Sequence, residues 1–232
     1  MHTGNVLNAE WDDRPADYAA TRDCWLTRRR LRFMTEIIAA LPAGARVLEI
    51  GSGAGEILIA LAAAHPGLHF TGIEPQASYV AFATDAARRQ SLTNLSFRQS
   101  AAEDADAVLR SEPHFDLIVS NDVLHHVASQ ERAARAAARV AKPGARWLAI
   151  EPNWRNPYVL VHCAWKRGEK NFWPRPFLAA ALRSGWSGKQ RSFLFLIPPF
   201  VKEPSPFWIR LEERLETSAL LAGGVALLLS MP

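Results

Sequence analysis

Short apolar runs alternate with longer helical patterns along most of the chain. The runs VLEI, DLIV and WLAI are almost continuously apolar, as expected of parallel strands that are buried on both faces. The segments between them are rich in alanine and leucine and have the spacing of helices. This alternation predicts an α/β fold in which helices cover both faces of a parallel sheet. The predicted strands are 46–50, 68–74, 95–99, 115–120 and 145–150, and the predicted helices are 56–65, 77–90 and 130–141.

The two ends of the chain have different patterns. After residue 175 the sequence predicts a helix, a strand, an amphipathic helix and a last apolar strand, at 176–185, 191–197, 206–217 and 225–230. A hairpin-like return of the last strand would leave it antiparallel and buried. The segment 9–41 is charged and carries Trp11, Tyr18, Trp25 and Phe33. We therefore divide the chain into an N-terminal helical cap, 1–45, and an α/β domain, 46–232.

The composition fits a folded domain of this size. The chain has 232 residues, 49% of them hydrophobic and 22% charged, which is enough apolar material for a full core. Two cysteines, Cys24 and Cys163, are too few for a disulfide framework, so reduced thiols in the cytoplasm are expected. The first fifteen residues lack the apolar core of a signal peptide, and ALLAGGVALLLSM is too short to span a bilayer. The net charge of +4 does not by itself indicate nucleic-acid binding.

A glycine-rich loop follows the first predicted strand in VLEIGSGAGEI. Gly51, Gly53 and Gly55 let a ligand approach the backbone where a helix begins. The dinucleotide fingerprint G-x-G-x-x-G holds phosphates here, but Glu56 occupies its third glycine position and Glu49 lies just before the loop. Carboxylates repel a pyrophosphate and attract a cation. S-adenosylmethionine (SAM), which carries an ammonium and a sulfonium and no phosphate, fits this pattern better than a nicotinamide dinucleotide.

A second acid ends the next predicted strand, in FTGIEP. Glu74 stands where a carboxylate can accept hydrogen bonds from both ribose hydroxyls of an adenosine. Nicotinamide sites share this feature, so Glu74 supports an adenosine ligand without choosing between the two cofactors. Glu56 has a simpler interpretation, because an acid in the first turn of a helix is stabilised by the helix dipole.

Taken together, VLEIGSGAGEI, FTGIEP and FDLIVSNDVLHHV resemble the class I SAM-dependent methyltransferases, and most closely their small-molecule, UbiE-like (type 11) group. The resemblance covers residues 46–151. It implies a Rossmann-like seven-stranded sheet in the order 3-2-1-4-5-7-6, with strand 7 antiparallel. It also implies SAM as the cofactor and S-adenosyl-L-homocysteine as the product.

The resemblance assigns roles to the residues that match its motifs. The acid and glycines of the first motif are implied to surround the methionine part of SAM, Glu74 to hold the ribose and Asn121 to lie beside the sulfonium. Where the family often has an aspartate for adenine, this chain has Ala101. The backbone of Ala102 and the carboxylate of Glu103 or Asp104 are the expected replacements. The expected cofactor-binding residues are Glu49, Gly51, Ser52, Gly53, Gly55, Glu74, Pro75, Ala102, Glu103 and Asn121, with Gln76 beside Pro75.

Candidate catalytic side chains follow the fourth predicted strand. Methyl transfer mainly requires alignment, and a base is needed only if the acceptor must lose a proton. On a helix, His126 would share a face with Asp122, four residues earlier, and would point away from His125. This spacing resembles that of phosphoethanolamine methyltransferases, in which an Asp, a His and an N-terminal Tyr serve the acceptor. We therefore favour His126 as the base, with Asp122 and with Tyr18, which could equally pack within the cap.

A polar segment, AIEPNWRNP, follows the fifth predicted strand. Ligands bind beyond the carboxyl ends of parallel strands, so Glu151 is a candidate for orienting the substrate. Asn153, Arg155 and Asn156 are weaker candidates, because an Asn-Pro loop has the same composition. Adjacent His125 and His126 lack nearby partners at the spacing of metal ligands, so no metal is expected from the local sequence, and a site assembled from distant residues is left open.

The region 152–190 is interpreted as a lid over the acceptor. It is rich in proline, aromatic and basic residues, which favours an apolar or aromatic acceptor with a polar or negative group. Its helix-like stretch NPYVLVHCAWKRGEK could lie on a membrane surface, but packing onto the sheet is favoured. The residues concerned are Trp154, Trp165, Trp173, Trp186, Lys166, Arg167, Lys170 and Arg175, with Trp208 beyond them.

The sequence therefore predicts a SAM-dependent methyltransferase that modifies an oxygen or nitrogen atom of a small, aromatic or apolar metabolite. Carbon methylation of a quinone- or lipid-like acceptor remains an alternative, as does a catalytically silent SAM-fold partner protein. The sequence SNDV stands where enzymes that methylate bases of nucleic acids carry an Asn/Asp-Pro-Pro-aromatic motif, so a nucleic-acid substrate is not expected. The oligomeric state is left open.

Overall fold

The computed structural model describes residues 13–166 and 169–232, apart from the side chain of Lys189. Trp11, Arg167 and the start of the expected cap lie outside the described residues. The helices are α1 (Pro15–Arg22), α2 (Trp25–Ile38), α3 (Glu56–Ala64), α4 (Ala77–Arg89), α5 (Ala105–Val108), α6 (Gln130–Val140), α7 (Pro157–Trp165), α8 (Pro174–Arg183) and α9 (Pro206–Leu215). The strands are β1 (Arg46–Ile50), β2 (His69–Glu74), β3 (Leu95–Gln99), β4 (Phe115–Asn121), β5 (Ala141–Pro152), β6 (Ser187–Leu194) and β7 (Gly224–Ser230).

The strands form one seven-stranded sheet in the order β3-β2-β1-β4-β5-β7-β6. The first five strands are parallel to their neighbours, and β7 runs antiparallel to both β5 and β6. The predicted sheet order and the antiparallel last strand are therefore confirmed. Because β1 and β4 are adjacent, the carboxyl ends of β1, β2, β4 and β5 meet at one edge, where their loops can share a ligand.

Helices pack on both faces of the sheet and enclose two apolar clusters. One face is centred on Trp147, whose ring makes an edge contact with Phe177 at 5.1 Å and lies 5.3 Å from Trp186. The other face joins Met34 and Ile38 of α2 to the apolar residues of α3. Helices on both faces explain why the central strands are apolar along their whole length.

Three sequence-based predictions about these elements are wrong in detail. Trp186 is not part of a lid, because it is 1% exposed in the core and its Nε1 donates to the carbonyl oxygen of Ala134. The strand predicted at 191–197 runs from Ser187 to Leu194, since Phe195 has a positive φ of 64° and turns the chain away. The helix α7 buries Cys163 but leaves Tyr158, Val161 and Trp165 exposed, so the predicted burial of its apolar residues fails for these three side chains. Within the described residues no helix is both long and apolar enough to cross a membrane.

A buried glutamate of α9 fastens α2 to the tail of the chain. Glu212 is 1% exposed. Its Oε2 accepts hydrogen bonds from Trp25 Nε1 at 2.7 Å and from Arg29 Nε at 3.2 Å. Its Oε1 accepts the backbone N–H groups of Leu196 and Ile197 at 2.8 and 2.9 Å. One carboxylate thus joins three distant segments, because both of its oxygens need partners once they are removed from water.

We expect Glu212→Ala to lower the free energy of unfolding by roughly 3 kcal/mol, because it leaves three N–H groups without their acceptor and removes one of the two acidic partners of Arg29. Urea denaturation followed by circular dichroism measures this change. Glu213→Ala is the matched control, since Glu213 is exposed on the same helix. Equal stability of the two variants would show that the buried carboxylate contributes nothing net to the fold.

Candidate active site

The glycine loop between β1 and α3 adopts backbone angles that few other residues tolerate. Gly51, Gly53 and Gly55 have φ values of 71°, 54° and 86°. A Cβ atom at Gly51 would stand 2.3 Å from the side chain of Val123, and one at Gly53 would stand 3.2 Å from the ring of Tyr18. The loop therefore has glycines because it passes close to the turn after β4 on one side and to α1 on the other.

Two buried carboxylates flank this loop. Glu49 is 3% exposed, and its Oε1 accepts a hydrogen bond from Asn121 Nδ2 at 3.2 Å. Its Oε2 has no hydrogen-bond partner among the described residues, and burial raises the pKa of Glu49 to about 8. Glu74 accepts the backbone N–H groups of Gly53 and Gln76 at 3.1 and 3.2 Å, yet burial still raises its pKa to about 7. Both acids would be stabilised as carboxylates by a cation or by hydroxyl donors.

A buried arginine completes the pocket, and the sequence analysis missed it. Arg30 of α2 is 4% exposed and donates to Asp122 through Nη2. Its Nε and Nη1 have no hydrogen-bond partner among the described residues. The sequence RRRLR suggests a solvated face, but Arg30 shares a helical face with the buried Thr27 and Met34, and this spacing is the signal that could have identified it. A guanidinium with free donors suits an anionic group of a ligand.

The acids after β3 contact α6. Glu103 Oε1 accepts the backbone N–H of Ser129 at 3.0 Å, and Asp104 pairs with Arg132 at 2.8 Å. These carboxylates are thus engaged at the start of α6. The backbone N–H of Ala102 remains the expected partner for an adenine ring.

The segment after β4 is a turn, so the helix expected across residues 122–126 does not form. Asp122 has a positive φ of 51°, and its N–H donates to Ile150 of β5 at 2.8 Å. Burial alone would raise the pKa of Asp122, but the nearby Arg30 and Arg22 outweigh burial and hold the pKa below its usual range. The argument that placed His126 and Asp122 on one helical face is therefore wrong.

Glu151 holds His125 rather than His126. It is fully buried, and its Oε1 accepts the backbone N–H groups of Val123 and Leu124 at 3.1 and 2.8 Å. Its Oε2 lies 2.6 Å from His125 Nδ1, so the carboxylate keeps a proton on Nδ1 and directs Nε2 away from β5. The acid expected to orient the substrate thus orients an imidazole.

Glu169 brings both histidines together from a distant segment. Its Oε2 lies 3.3 Å from His125 Nε2 and 3.5 Å from His126 Nε2, and its Oε1 lies 3.4 Å from Lys166 Nζ. Burial alone would lower the pKa of His125, but the carboxylates of Glu151 and Glu169 raise it to about 10. Burial, and after it the charge of His125, lowers the pKa of His126 to about 4. The two adjacent imidazoles therefore differ strongly in proton affinity.

The remaining candidates shape the loop instead of facing a pocket. Asn153 is fully buried and donates to the carbonyl oxygens of Ala219 and Ala222 at 2.9 and 2.7 Å. Asn156 caps α7 by accepting the backbone N–H of Tyr158 at 2.9 Å. Their contacts tie the segment after β5 to the turn before β7, which is a structural role.

Comparison with known proteins agrees with this geometry. Residues 41–173 match the family model of the methyltransferase domain, and the chain therefore belongs to this methyltransferase family. The family implies SAM as the cofactor. The sheet order is that of the class I SAM-dependent methyltransferases, and the described pocket fits the cofactor, because Glu49 Oε2 and Ser52 Oγ are buried without partners among the described residues.

The chain has moderate sequence identity to named relatives and shares its fold with solved structures. The chain is 32% identical to a 27-O-demethylrifamycin SV methyltransferase of Amycolatopsis mediterranei, over 61% of this chain and 49% of that protein. It is 32% identical to a ubiquinone biosynthesis O-methyltransferase of Hahella chejuensis, over 65% of this chain and 59% of that protein. The chain thus spans about half the length of these relatives. The crystal structure of a SAM-dependent methyltransferase from Archaeoglobus fulgidus has a TM-score of 0.64 at 17% identity, covering 88% of this chain and 93% of that one.

We expect SAM to bind more tightly as the pH rises towards 8, because the ligand's cation needs the ionised form of Glu49, whose pKa without ligand is about 8. Below that pH, binding must expel a proton, so the affinity should fall by up to about tenfold per pH unit. Calorimetry in buffers of different ionisation enthalpy measures both the affinity and the proton released.

Glu49→Gln is the control for this pH dependence, since it also corrects for titration of the ligand itself. The variant should bind more weakly and lose most of the proton release. If the unmodified protein binds SAM with an affinity that does not change with pH and releases no proton, Glu49 does not contact the ligand's cation.

Proposed function

We propose that the protein transfers the methyl group of SAM to a hydroxyl oxygen of a small molecule. The observation that carries this proposal is the pair formed by His125 and Glu151 at the ends of β4 and β5, beside a buried acidic pocket. An imidazole backed by a carboxylate removes protons from hydroxyl groups in many enzymes. The named activities of the two relatives, both of them methyltransferases and one an O-methyltransferase, agree with an oxygen acceptor.

The cofactor's amino acid part meets complementary charges in this proposal. Glu49 Oε2 would bind the ammonium, and Arg30 Nε and Nη1 would bind the carboxylate, since each of these atoms is buried and without a partner among the described residues. Glu74 would accept the ribose hydroxyls. Tyr18, which lies over Gly53, would cover the loop. When bound, SAM supplies an electrophilic methyl group on a sulfonium.

The acceptor's place lies next to His125 Nε2. Glu151 holds the proton on Nδ1, so Nε2 of the neutral imidazole is the atom that can take the proton of an acceptor hydroxyl. Because the two carboxylates raise the pKa of His125 to about 10, this neutral form is populated mainly at alkaline pH, and activity is expected to rise with pH. Glu169 Oε2 already lies 3.3 Å from Nε2, so an acceptor hydroxyl would have to displace this carboxylate to reach the imidazole. His126, which the sequence analysis favoured as the base, is held beside His125 with its Nε2 towards the same carboxylate.

The first test is calorimetry with SAM and S-adenosyl-L-homocysteine, with NAD(H) as the control. Micromolar binding of the SAM pair alone would justify an acceptor screen with small phenols, catechols and aliphatic alcohols, read out by mass spectrometry. Products that carry the new methyl on nitrogen or carbon would contradict the oxygen proposal. Absence of binding by either SAM ligand would favour the silent-partner alternative.

We expect Glu151→Gln to lower kcat by about a hundredfold or more while leaving the affinity for SAM unchanged, because the amide no longer favours the imidazolium that forms during proton removal. Steady-state kinetics with a screened acceptor and calorimetry with SAM measure the two quantities. Glu131→Gln, on the exposed side of α6, is the control. A variant with full kcat would leave alignment as the main catalytic effect.

We expect Arg30→Gln to weaken SAM binding by about tenfold to a hundredfold, because a charge-assisted contact is lost. Decarboxylated SAM separates this role from a structural one, since the unmodified protein should prefer SAM and the variant should bind the two ligands similarly. Arg32→Gln, at an exposed position of the same helix, is the control. An unchanged preference for SAM in Arg30→Gln would place the carboxylate elsewhere.

A further inference from the structure

We propose that His125, His126 and Glu169 form a binding site for a divalent transition-metal ion. One nitrogen of each imidazole and one carboxylate oxygen lie within 4.8 Å of one another. The site would bind metal independently of SAM. Its role in catalysis, which is to hold the acceptor, rests on the proposed function.

Two of the three separations between the ligand atoms match those around a tetrahedral metal ion. A tetrahedral Zn²⁺ with bonds of about 2.0–2.1 Å keeps its ligand atoms about 3.4 Å apart. Glu169 Oε2 lies 3.3 Å from His125 Nε2 and 3.5 Å from His126 Nε2. Charge-assisted hydrogen bonds between nitrogen and a carboxylate are shorter, at about 2.7–2.9 Å. The bond from His125 to Glu151, at 2.6 Å, shows how short a direct pair is in the same cluster.

Glu151 supplies the outer contact that metal-binding histidines usually have. A histidine ligand commonly donates its other ring N–H to a carboxylate, which fixes the tautomer and makes the ligating nitrogen more basic. Glu151 Oε2 is placed for this contact with His125 Nδ1, and the side chain of His125 is 1% exposed. His125 Nε2 therefore points towards Glu169 without needing a bound ion to orient it.

Along the sequence, the adjacent pair His125 and His126 has no third ligand nearby, so a metal site here requires a distant residue. The third group lies 44 residues after His125, in the segment that follows α7. Neither the turn after β4 nor the path of that segment follows from local sequence pattern. The fold therefore assembles a ligand set that no spacing along the chain reveals.

The ligand types indicate which ions would bind. Two imidazoles and one carboxylate suit Zn²⁺, Fe²⁺ or Co²⁺, whereas Mg²⁺ and Ca²⁺ prefer oxygen ligands. Three protein ligands leave at least one position open, which is typical of catalytic sites rather than structural ones. The open position would take an oxygen of the acceptor, and a second open position would favour acceptors with two adjacent oxygens.

With the ion bound, His125 Nε2 is a metal ligand and no longer the base, so the ion takes over the activation of the acceptor hydroxyl that the metal-free site leaves to the imidazole. When the acceptor hydroxyl coordinates, a metal–oxygen bond forms, and the hydroxyl proton leaves to solvent, because coordination lowers its pKa. His125 stays a neutral imidazole whose Nδ1–H donates a hydrogen bond to Glu151. The oxyanion is then stabilised by the metal, and the acceptor class is one of catechol-like or hydroxycarbonyl compounds.

Cobalt and zinc titrations of the chelator-treated full chain test the site without turnover. We expect one Co²⁺ per chain, visible absorption bands of a low-coordinate ion, and displacement of these bands by Zn²⁺. His126→Ala and Glu169→Gln should each weaken binding at least tenfold, and Glu151→Gln should weaken it about tenfold to a hundredfold. His162→Ala, an exposed histidine of α7, is the control.

Two outcomes would overturn the site. One is the absence of cobalt absorption, with equal metal content in the unmodified protein and in a His126→Ala/Glu169→Gln double variant, which would leave Glu169 as an ion-pair partner only. The other is metal binding that the double variant retains and His162→Ala removes. SAM binding is measured separately by calorimetry, so failure of the metal site and failure of the proposed function remain distinguishable.

Discussion

The carboxylate of Glu151 is the contact on which the acceptor side of the site depends. It lies fully buried at the end of β5 and accepts the backbone N–H groups of Val123 and Leu124 as well as the ring of His125. The segment after β4 is a turn, so its path is set by these contacts more than by regular helical bonding. Because the carboxylate is removed from water, each partner is needed to offset the cost of burying its charge. The end of β5, the turn after β4 and the imidazole of His125 therefore form one rigid unit.

The cofactor side of the site differs from the acceptor side, because several of its buried polar atoms have no hydrogen-bond partner among the described residues. Glu49 Oε2 and two nitrogens of Arg30 are without hydrogen-bond partners within the described part of the chain. Such groups lower the stability of a fold, and natural proteins retain them mainly where a ligand completes them. The raised pKa values of Glu49 and Glu74 have the same cause, because both acids are held in a pocket that excludes water. The pocket is thus prepared for a charged ligand at the expense of stability.

The sequence predicts the sheet and locates the glycine loop with its flanking acids, because these features depend on neighbouring residues. The apolar strands, the glycine loop and the acids at the ends of β1 and β2 each lie within a short motif. The errors have long-range causes. Trp186 packs against Trp147 of β5, and Arg30 faces a pocket although it stands in a run of basic residues. Glu169 reaches the histidines only because the chain returns after α7. Contacts of this kind depend on the tertiary structure, which local patterns do not encode.

The same difference between local and long-range contacts separates cofactor binding from the choice of acceptor. The proposed cofactor contacts come from β1, β2 and β4, which are braced on both sides by other strands. The proposed acceptor contacts come from the turn after β4 and from the segment between β5 and β6, where Tyr158, Trp165 and Trp173 are exposed. Asn153 fastens the start of that segment to the turn before β7. The segment is therefore anchored at its base and can vary along its length without disturbing the cofactor pocket, since loops carry specificity on a rigid scaffold.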